Sequence, residues 1–333
     1  MTPSMKPVSS SEFDLYKGSG ATLQSRGHNF PLFEESVRTE EPSGYLADDP
    51  LRSAVNVALA LGQPLLVTGE PGTGKTQLAA SIAWELGLPG PLEFRTRTTS
   101  TATDLFYTYD ALRHFHDAHH RPERVDPENY ISYQPLGLAI LLSLLPAQAD
   151  SFLPAHLKGR GPTRSVVLID EVDKAPRDLP NDILGEIETM SFVVRETGRG
   201  FQAGRAYRPV LILTSNSEKN LPDAFLRRCV FYHIEFPSPE RLAAIVESRL
   251  KPNPEFTSAM LKHALEHFNE IRELALRKKP ATAELLAWIR VLERLNIDVR
   301  NVRSGQAAAL ALSYSVLAKT QEDLAKLRKT FAS

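Results

Sequence analysis

Residues 64–87 read PLLVTGEPGTGKTQLAASIAWELG. An apolar run of strand length, 64–69, stops at a glycine, and two further glycines follow within five residues. Residues 75–87 then place apolar side chains at helical spacing and end at Gly87. The order predicts a buried strand, a tight loop and a helix, which is the unit of a parallel α/β sheet.

The loop between them, GEPGTGKT, matches the phosphate-binding pattern G-x-x-x-x-G-K-[ST]. Backbone N–H groups of such a loop, with the helix N-terminus, surround phosphate oxygens. Lys75 is expected to reach the β and γ phosphates, and Thr76 to bind Mg²⁺. A plain glycine turn is the alternative, which the flanking strand and helix disfavour. The predicted nucleotide-binding residues are Gly69, Glu70, Pro71, Gly72, Thr73, Gly74, Lys75 and Thr76.

Two other apolar runs end in polar residues. SVVLIDE, 165–171, ends in Asp170 and Glu171, and PVLILTSN, 209–216, ends in Asn216. Ligands of open α/β sheets bind at the carboxyl ends of strands. We therefore expect Asp170 to hold Mg²⁺, Glu171 to polarise the attacking water, and Asn216 to fix that water. The alternatives are that the acidic pair caps the next helix and that Asn216 only begins a turn.

Five strands separated by helices predict a parallel sheet covered on both faces. They fall at 64–69, 92–96, 165–171, 209–216 and 230–236. From Ser238, a candidate N-cap, and Pro239 onward the pattern is helical. The predicted organisation is a loose segment at 1–30, an α/β domain at 31–237 and a small all-helical lid at 238–333.

The composition narrows the class of protein. Hydrophobic residues make up 42% and charged residues 24% of the 333-residue chain, as in soluble globular proteins. A net charge of −1 predicts neither a general nucleic-acid affinity nor a membrane-surface role. The single cysteine excludes an internal disulfide and fits a reducing compartment. With no membrane-span or signal-peptide pattern, we expect a cytoplasmic protein.

The chain resembles the AAA+ ATPases over about residues 40–300. It has the phosphate loop, then the motifs LIDE, TSN and FLRR, and then a helical domain. An insert at about 100–135 and a hairpin at about 191–208 resemble the MoxR-type branch, the helix-2-insert clade. The resemblance implies an ATPase that uses ATP and Mg²⁺, with sheet order 5-1-4-3-2. It also implies a homo-hexameric ring that remodels a protein partner, frequently a separate protein with a von Willebrand factor A domain.

The same resemblance gives a role to LPDAFLRRCVF, residues 221–231. In such rings the arginine directly before the fifth strand faces the γ-phosphate of the neighbouring subunit, which favours Arg228 as a catalytic residue. Arg227 is then a second contact in trans or an interface ion pair, and plain surface charges are the alternative. A lid arginine is also expected, but its position holds Ala283, so Lys278, Lys279 or a neighbouring subunit is left to supply that contact.

Several alternatives stay open. A nucleic-acid-directed motor of a restriction or defence system has the same core. A non-hydrolysing scaffold is disfavoured, because Glu171, Asn216 and Arg228 are all present. The hairpin carries four arginines, Arg195, Arg199, Arg205 and Arg208. They either contact an anionic substrate or are solvated, and solvation is favoured. The insert histidines suggest a metal site or, preferably, an exposed polar insert; they are His114, His116, His119 and His120.

Overall fold

The computed structural model describes residues 41–120, 125–218, 221–250, 253–303 and 305–331. The segment predicted to be loose, 1–30, lies outside the described residues. Contacts divide the chain into two compact units. One spans Tyr45–Glu235, and the other joins residues 41–44 to those from Phe236 on.

The first unit is built on a five-stranded parallel sheet. Nine strands lie along the described chain: β1 (Leu65–Gly69), β2 (Leu92–Arg95), β3 (Tyr107–Tyr109), β4 (Ile131–Tyr133), β5 (Val166–Asp170), β6 (Ser191–Val194), β7 (Arg199–Gln202), β8 (Val210–Ser215) and β9 (Val230–Ile234). The core sheet has the order β2-β5-β8-β1-β9, and all its neighbours are parallel. If the five core strands alone are numbered along the chain, β9 is the fifth, and the order read from β9 is 5-1-4-3-2. This is the predicted order, so the fold class is confirmed.

The first unit also contains the helices α1 (Asp49–Leu61), α2 (Lys75–Glu85), α3 (Ala111–His120), α4 (Pro135–Leu142), α5 (Pro146–Ala149), α6 (Leu179–Asp182), α7 (Leu184–Thr189) and α8 (Asp223–Leu226). Successive strand residues point to opposite faces of a sheet. Accordingly Leu65 and Val67 of β1 pack in one core cluster with α1 and α2, and Leu66 packs in the other with α4. Burial on both faces explains why these strands are continuously apolar.

One predicted helix is divided in the structure. The pattern at 178–190 indicates a single helix, but α6 and α7 are separated at Ile183, whose φ and ψ are −96° and −1°. Gly185 is a poor residue for a helix interior, whereas Pro180 lies in the first turn of α6, where proline is tolerated. Ile183 is fully buried in the core beneath the sheet, so packing rather than helical continuity fixes this segment.

Two small antiparallel pairs lie outside the core sheet. β3 pairs with β4 in the region of the expected insert, and β6 pairs with β7 at the expected hairpin. Their aromatic rings pack together: Phe192 of β6 lies 5.2 Å from Phe106 and 6.2 Å from Tyr133, measured between ring centroids. Phe201 of β7 lies 5.9 Å from Tyr133. The insert and the hairpin therefore share one aromatic cluster.

The second unit is helical over its described residues: α9 (Pro239–Arg249), α10 (Ser258–Glu273), α11 (Thr282–Leu295), α12 (Ala307–Leu317) and α13 (Gln321–Phe331). Ser238 caps α9 by accepting from the Arg241 N–H, as its position before Pro239 predicts. Trp288 and Phe268 are fully buried between the helices. Among the described helices of both units, none has the length and hydropathy to cross a membrane.

Candidate nucleotide site

The loop after β1 needs glycine where the backbone approaches a neighbouring strand. Gly69 has a φ of 150°, and a Cβ there would lie 2.6 Å from the Ile234 carbonyl oxygen of β9. Gly74, with a φ of 89°, is the N-cap of α2. Between them, the Thr73 hydroxyl donates to the Glu70 carbonyl at 2.8 Å. The loop thus curls tightly at the N-terminus of α2, which favours anion binding.

Lys75 is almost fully buried, with 7% of its surface exposed. Its Nζ donates to the carbonyl oxygens of Gly69 at 2.8 Å and Glu70 at 2.9 Å, and to Asn216 Oδ1 at 3.0 Å. Burial lowers the pKa of Lys75, and the nearby Asp170 carboxylate opposes that shift. The three acceptors that this ammonium group meets among the described residues are neutral oxygens, which anionic oxygens would replace favourably.

Thr76 and Asp170, predicted from separate motifs, are in contact. The Thr76 hydroxyl donates to Asp170 Oδ1 at 3.1 Å. A second hydroxyl, that of Thr214 on β8, donates to the same oxygen at 2.5 Å. Mg²⁺ prefers hard oxygen ligands and is commonly held by one or two carboxylates. The hydroxyl and carboxylate oxygens gathered here fit such an ion, with Thr76 and Asp170 as the residues able to hold it.

Glu171 follows β5 in an uncommon backbone conformation. Its φ and ψ are 56° and 49°, in the left-handed region. Its N–H donates to the Thr214 hydroxyl at 2.9 Å, and its carboxylate accepts from Lys174 Nζ at 2.5 Å. The side chain is 39% exposed. The carboxylate is therefore accessible to water, as a group that polarises a water molecule must be.

Asn216 lies between the loop and the strand that carries Asp170. Its side-chain oxygen accepts from Lys75, and its N–H donates to Asp173 Oδ1 at 3.2 Å. From the sequence, Asp173 is expected to be a solvated cap rather than a metal ligand. In the structure it anchors Asn216 instead, a contact that its position two residues after Glu171 does not predict.

The two adjacent arginines behave differently. Arg228 Nε forms an ion pair with Glu188, and its Nη1 donates to the Ala224 carbonyl at 2.9 Å. Arg227 is exposed and forms no ion pair within the described part of the chain. Arg228 thus contacts Glu188 and Ala224, and neither belongs to the predicted nucleotide site.

In the helical unit, Ala283 is the second residue of α11 and is exposed, as are Lys278 and Lys279. The Lys278 N–H donates to Asp323 Oδ2 at 3.2 Å, and this bond fixes the backbone of Lys278. The departure at the lid position therefore stands, and its functional consequence stays a prediction.

Two of the hairpin arginines have partners within the chain. Arg199 pairs with Glu128 at 2.9 Å and lies over the Phe152 ring. Arg208 donates to three carbonyl oxygens, at Gly62, Ile187 and Glu188. These contacts reduce the positive charge that the hairpin offers to an anionic molecule.

The insert histidines also have local partners. His114 Nδ1 hydrogen-bonds the Tyr109 hydroxyl, and the rings of His116 and His120 lie 4.5 Å apart between centroids. Within the described ranges, no three or more His, Cys, Asp or Glu side chains are grouped to hold a metal ion.

The chain matches a known family over this region. The model of the ATPase family associated with various cellular activities (AAA) matches residues 65–238, which is more than half of the chain. The match covers the loop, the ends of β5 and β8, and Arg228. No curated protein matches the chain. With the sheet order and the convergence of Lys75, Asp170 and Asn216 beside it, this match places the chain in the AAA family of ATPases.

Proposed function

We propose that this chain is a Mg²⁺-dependent, ATP-hydrolysing ring protein of the MoxR type that remodels or activates a protein partner. One observation carries the ATPase assignment. At the carboxyl edge of the sheet, the side chains of Lys75 and Thr76, the first residues of α2, donate to Asn216 and Asp170, which lie at the ends of two strands. Open parallel sheets bind ligands at this edge.

Nucleotide binding follows from the contacts of the loop. The backbone of residues 69–76 surrounds the phosphates, and Lys75 exchanges its carbonyl and amide acceptors for phosphate oxygens. Thr76 and Asp170 would hold Mg²⁺, which would neutralise charge on the phosphate oxygens. The residues of this chain thereby fix the position of the γ-phosphate before reaction.

Turnover requires a group that accepts a proton from the attacking water. Glu171 is the proposed base, because it is exposed and follows directly on the strand that carries Asp170. Asn216, hydrogen-bonded to Lys75 beside the phosphate position, is proposed to orient the water. The positive φ of Glu171 is consistent with this role, since backbone strain is often retained at functional sites.

A second copy of the chain would complete the site with Arg228. The ion pair between Arg228 and Glu188 is exposed, at 43% and 53% of the two side chains. Such surface pairs contribute only about 0–1 kcal/mol. A γ-phosphate of a neighbouring subunit carries more charge than one carboxylate and would displace Glu188. We therefore infer a ring, a hexamer by resemblance, with Arg228 acting in trans.

Partner remodelling rests on the resemblance rather than on the site. The insert and the hairpin share an aromatic cluster and project two arginines, Arg195 and Arg205, without an ion pair among the described residues. We propose that this module contacts a separate protein, for which a von Willebrand factor A domain is the expected class. The lone Cys229 agrees with a cytoplasmic setting.

ATP hydrolysis by the purified chain tests the ATPase assignment. We expect turnover in the parental chain and no nucleotide binding in Lys75→Ala, because Lys75 is the buried cation of the loop. A parental chain that hydrolyses no ATP would refute the assignment. If DNA stimulated ATP hydrolysis and no protein did, a nucleic-acid motor would be the better assignment in place of partner remodelling.

Mixed subunits test the ring. Arg228→Ala should bind ATP normally and hydrolyse it poorly, and adding Lys75→Ala subunits should restore some activity. Mixed interfaces would then combine an intact loop with an intact arginine. Absence of rescue would indicate that Arg228 acts within its own chain.

A further inference from the structure

We infer that Thr214 is a positioning residue that fixes Asp170 and Glu171 together, an inference that rests on the proposed function. Thr214 lies on β8, next to β5 in the sheet, and none of its surface is exposed. It is the first residue of the TSN stretch, in which the sequence motif assigns a role only to Asn216. Its importance follows only from the way the ends of β5 and β8 meet.

The hydroxyl of Thr214 is used twice. Its O–H donates to Asp170 Oδ1 at 2.5 Å, because an ionised carboxylate can only accept. Its oxygen accepts the Glu171 N–H at 2.9 Å. One buried hydroxyl therefore holds the side chain of the proposed Mg²⁺ ligand and the backbone of the proposed base.

The contact to Glu171 acts where the backbone is strained. A non-glycine residue with a φ of 56° persists when its surroundings determine the conformation. The Glu171 N–H has left the strand ladder and is paired with Thr214 instead. The direction of the Glu171 side chain follows from this backbone conformation, so the hydroxyl of Thr214 acts on the base through its backbone.

The contact to Asp170 has a separate function from that of Thr76. Both hydroxyl groups donate to Asp170 Oδ1, at 2.5 Å from Thr214 and 3.1 Å from Thr76. Thr76 is proposed to serve the metal ion, which leaves Thr214 as the group dedicated to holding the carboxylate. Outer-shell partners of this kind orient the groups that bind metal ions.

A buried threonine also hydrogen-bonds for stability alone, and the sheet contains a matched example. Thr68 of β1 is equally buried, and its hydroxyl pairs with His233 Nδ1 at 2.8 Å. Thr68→Val therefore removes a buried hydroxyl from the same sheet without touching Asp170 or Glu171. It separates a loss of stability from a loss of positioning.

The experiment compares Thr214→Val, Thr214→Ser and Thr68→Val with the parental chain. ADP binding is measured by calorimetry in Mg²⁺ and in EDTA, and kcat and KM are measured for ATP. For Thr214→Val we expect the gain in ADP affinity that Mg²⁺ confers to fall by about 10-fold or more, and kcat by about 10- to 100-fold. ADP affinity in EDTA should stay within about 2-fold, which also shows that the variant is folded.

Thr214→Ser keeps the hydroxyl and should restore both the Mg²⁺ gain and kcat to within about 3-fold of the parental values. Thr68→Val should keep the parental Mg²⁺ gain even if its melting temperature falls. Parental behaviour of Thr214→Val, or an equal loss in Thr68→Val, would overturn the inference while leaving the proposed function intact. A parental chain that neither binds ADP nor hydrolyses ATP would refute the proposed function, and the inference with it.

Discussion

Replacement of Gly69 by alanine tests the shape of the phosphate loop. The added Cβ would lie 2.6 Å from the Ile234 carbonyl oxygen, which is backbone of the paired strand β9. The positive φ of 150° adds strain for any residue with a Cβ. Strain at a sparsely populated φ costs about 1–3 kcal/mol, and overpacking costs about 1–3 kcal/mol more. We therefore expect Gly69→Ala to lower the free energy of unfolding of this unit by about 2–6 kcal/mol.

Gly87→Ala is the matched control. Gly87 also has a positive φ, 64°, but a Cβ there would meet no atom within 4 Å. Only the backbone term remains, about 1–2 kcal/mol. In a unit of this size each kcal/mol shifts the melting temperature by about 2–4 °C. Thermal unfolding should therefore place Gly69→Ala below Gly87→Ala.

Nucleotide binding separates the two variants further. Gly69→Ala must displace the loop or β9, so its affinity for ATP should fall at least about 10-fold, the equivalent of about 1.4 kcal/mol of loop distortion. Gly87→Ala leaves the loop unchanged and should bind ATP as the parental chain does. If both variants melted at the same temperature and bound ATP equally well, the reasoning from the close approach to Ile234 would be refuted.

Two further predictions concern groups whose pKa is shifted by burial. His267 is 4% exposed, its Nε2 is hydrogen-bonded to the Tyr314 hydroxyl, and burial lowers its pKa to about 4 against the opposing Glu270 carboxylate. Its neutral form is favoured by folding, so this stabilisation is present above about pH 6.5 and is lost as the pH falls towards 4, by about 3 kcal/mol in all. Urea unfolding at pH 7 and pH 4.5 should show a smaller loss for His267→Gln than for the parental chain; equal losses would contradict the role of His267. Burial also raises the pKa of the Cys229 thiol to about 12, so we expect slow alkylation by iodoacetamide at pH 8 in the folded chain and fast alkylation in guanidinium, whereas equal rates would show an accessible thiolate.

The sequence was sufficient for the parts of the site that lie within one segment. A strand ending at Gly69, a helix beginning at Lys75 and a strand ending at Asp170 are local patterns, and the structure has each of them. The order of the core strands also agrees with the prediction, because the resemblance supplies a topology that the alternation of strands and helices alone leaves open.

Contacts between distant segments were not predictable in this way. Thr214 meets Asp170 because β5 and β8 are neighbours in register, and a threonine in an apolar strand gives no signal of that contact. Arg228 meets Glu188 across 40 positions of sequence. These pairings depend on how distant segments pack in the folded chain, which local sequence patterns do not specify.

The hairpin shows a different limit. Its arginines indicate a basic surface when they are counted along the chain, yet Arg208 is turned inward. It donates to the Gly62 carbonyl and to two more carbonyls at the end of α7. Arginine near helix C-termini commonly satisfies such groups. Charge counts in sequence thus overestimate the charge that the hairpin presents to other molecules.

The most direct test of the central claim is the ATP affinity and turnover of Glu171→Gln. The substitution keeps the size of the side chain and removes its ability to accept a proton, while Lys75 and the loop are unchanged. We expect parental ATP affinity and a fall in turnover of at least about 100-fold, the contribution expected of a general base. Hydrolysis at the parental rate by Glu171→Gln would contradict the assignment of Glu171 as the base.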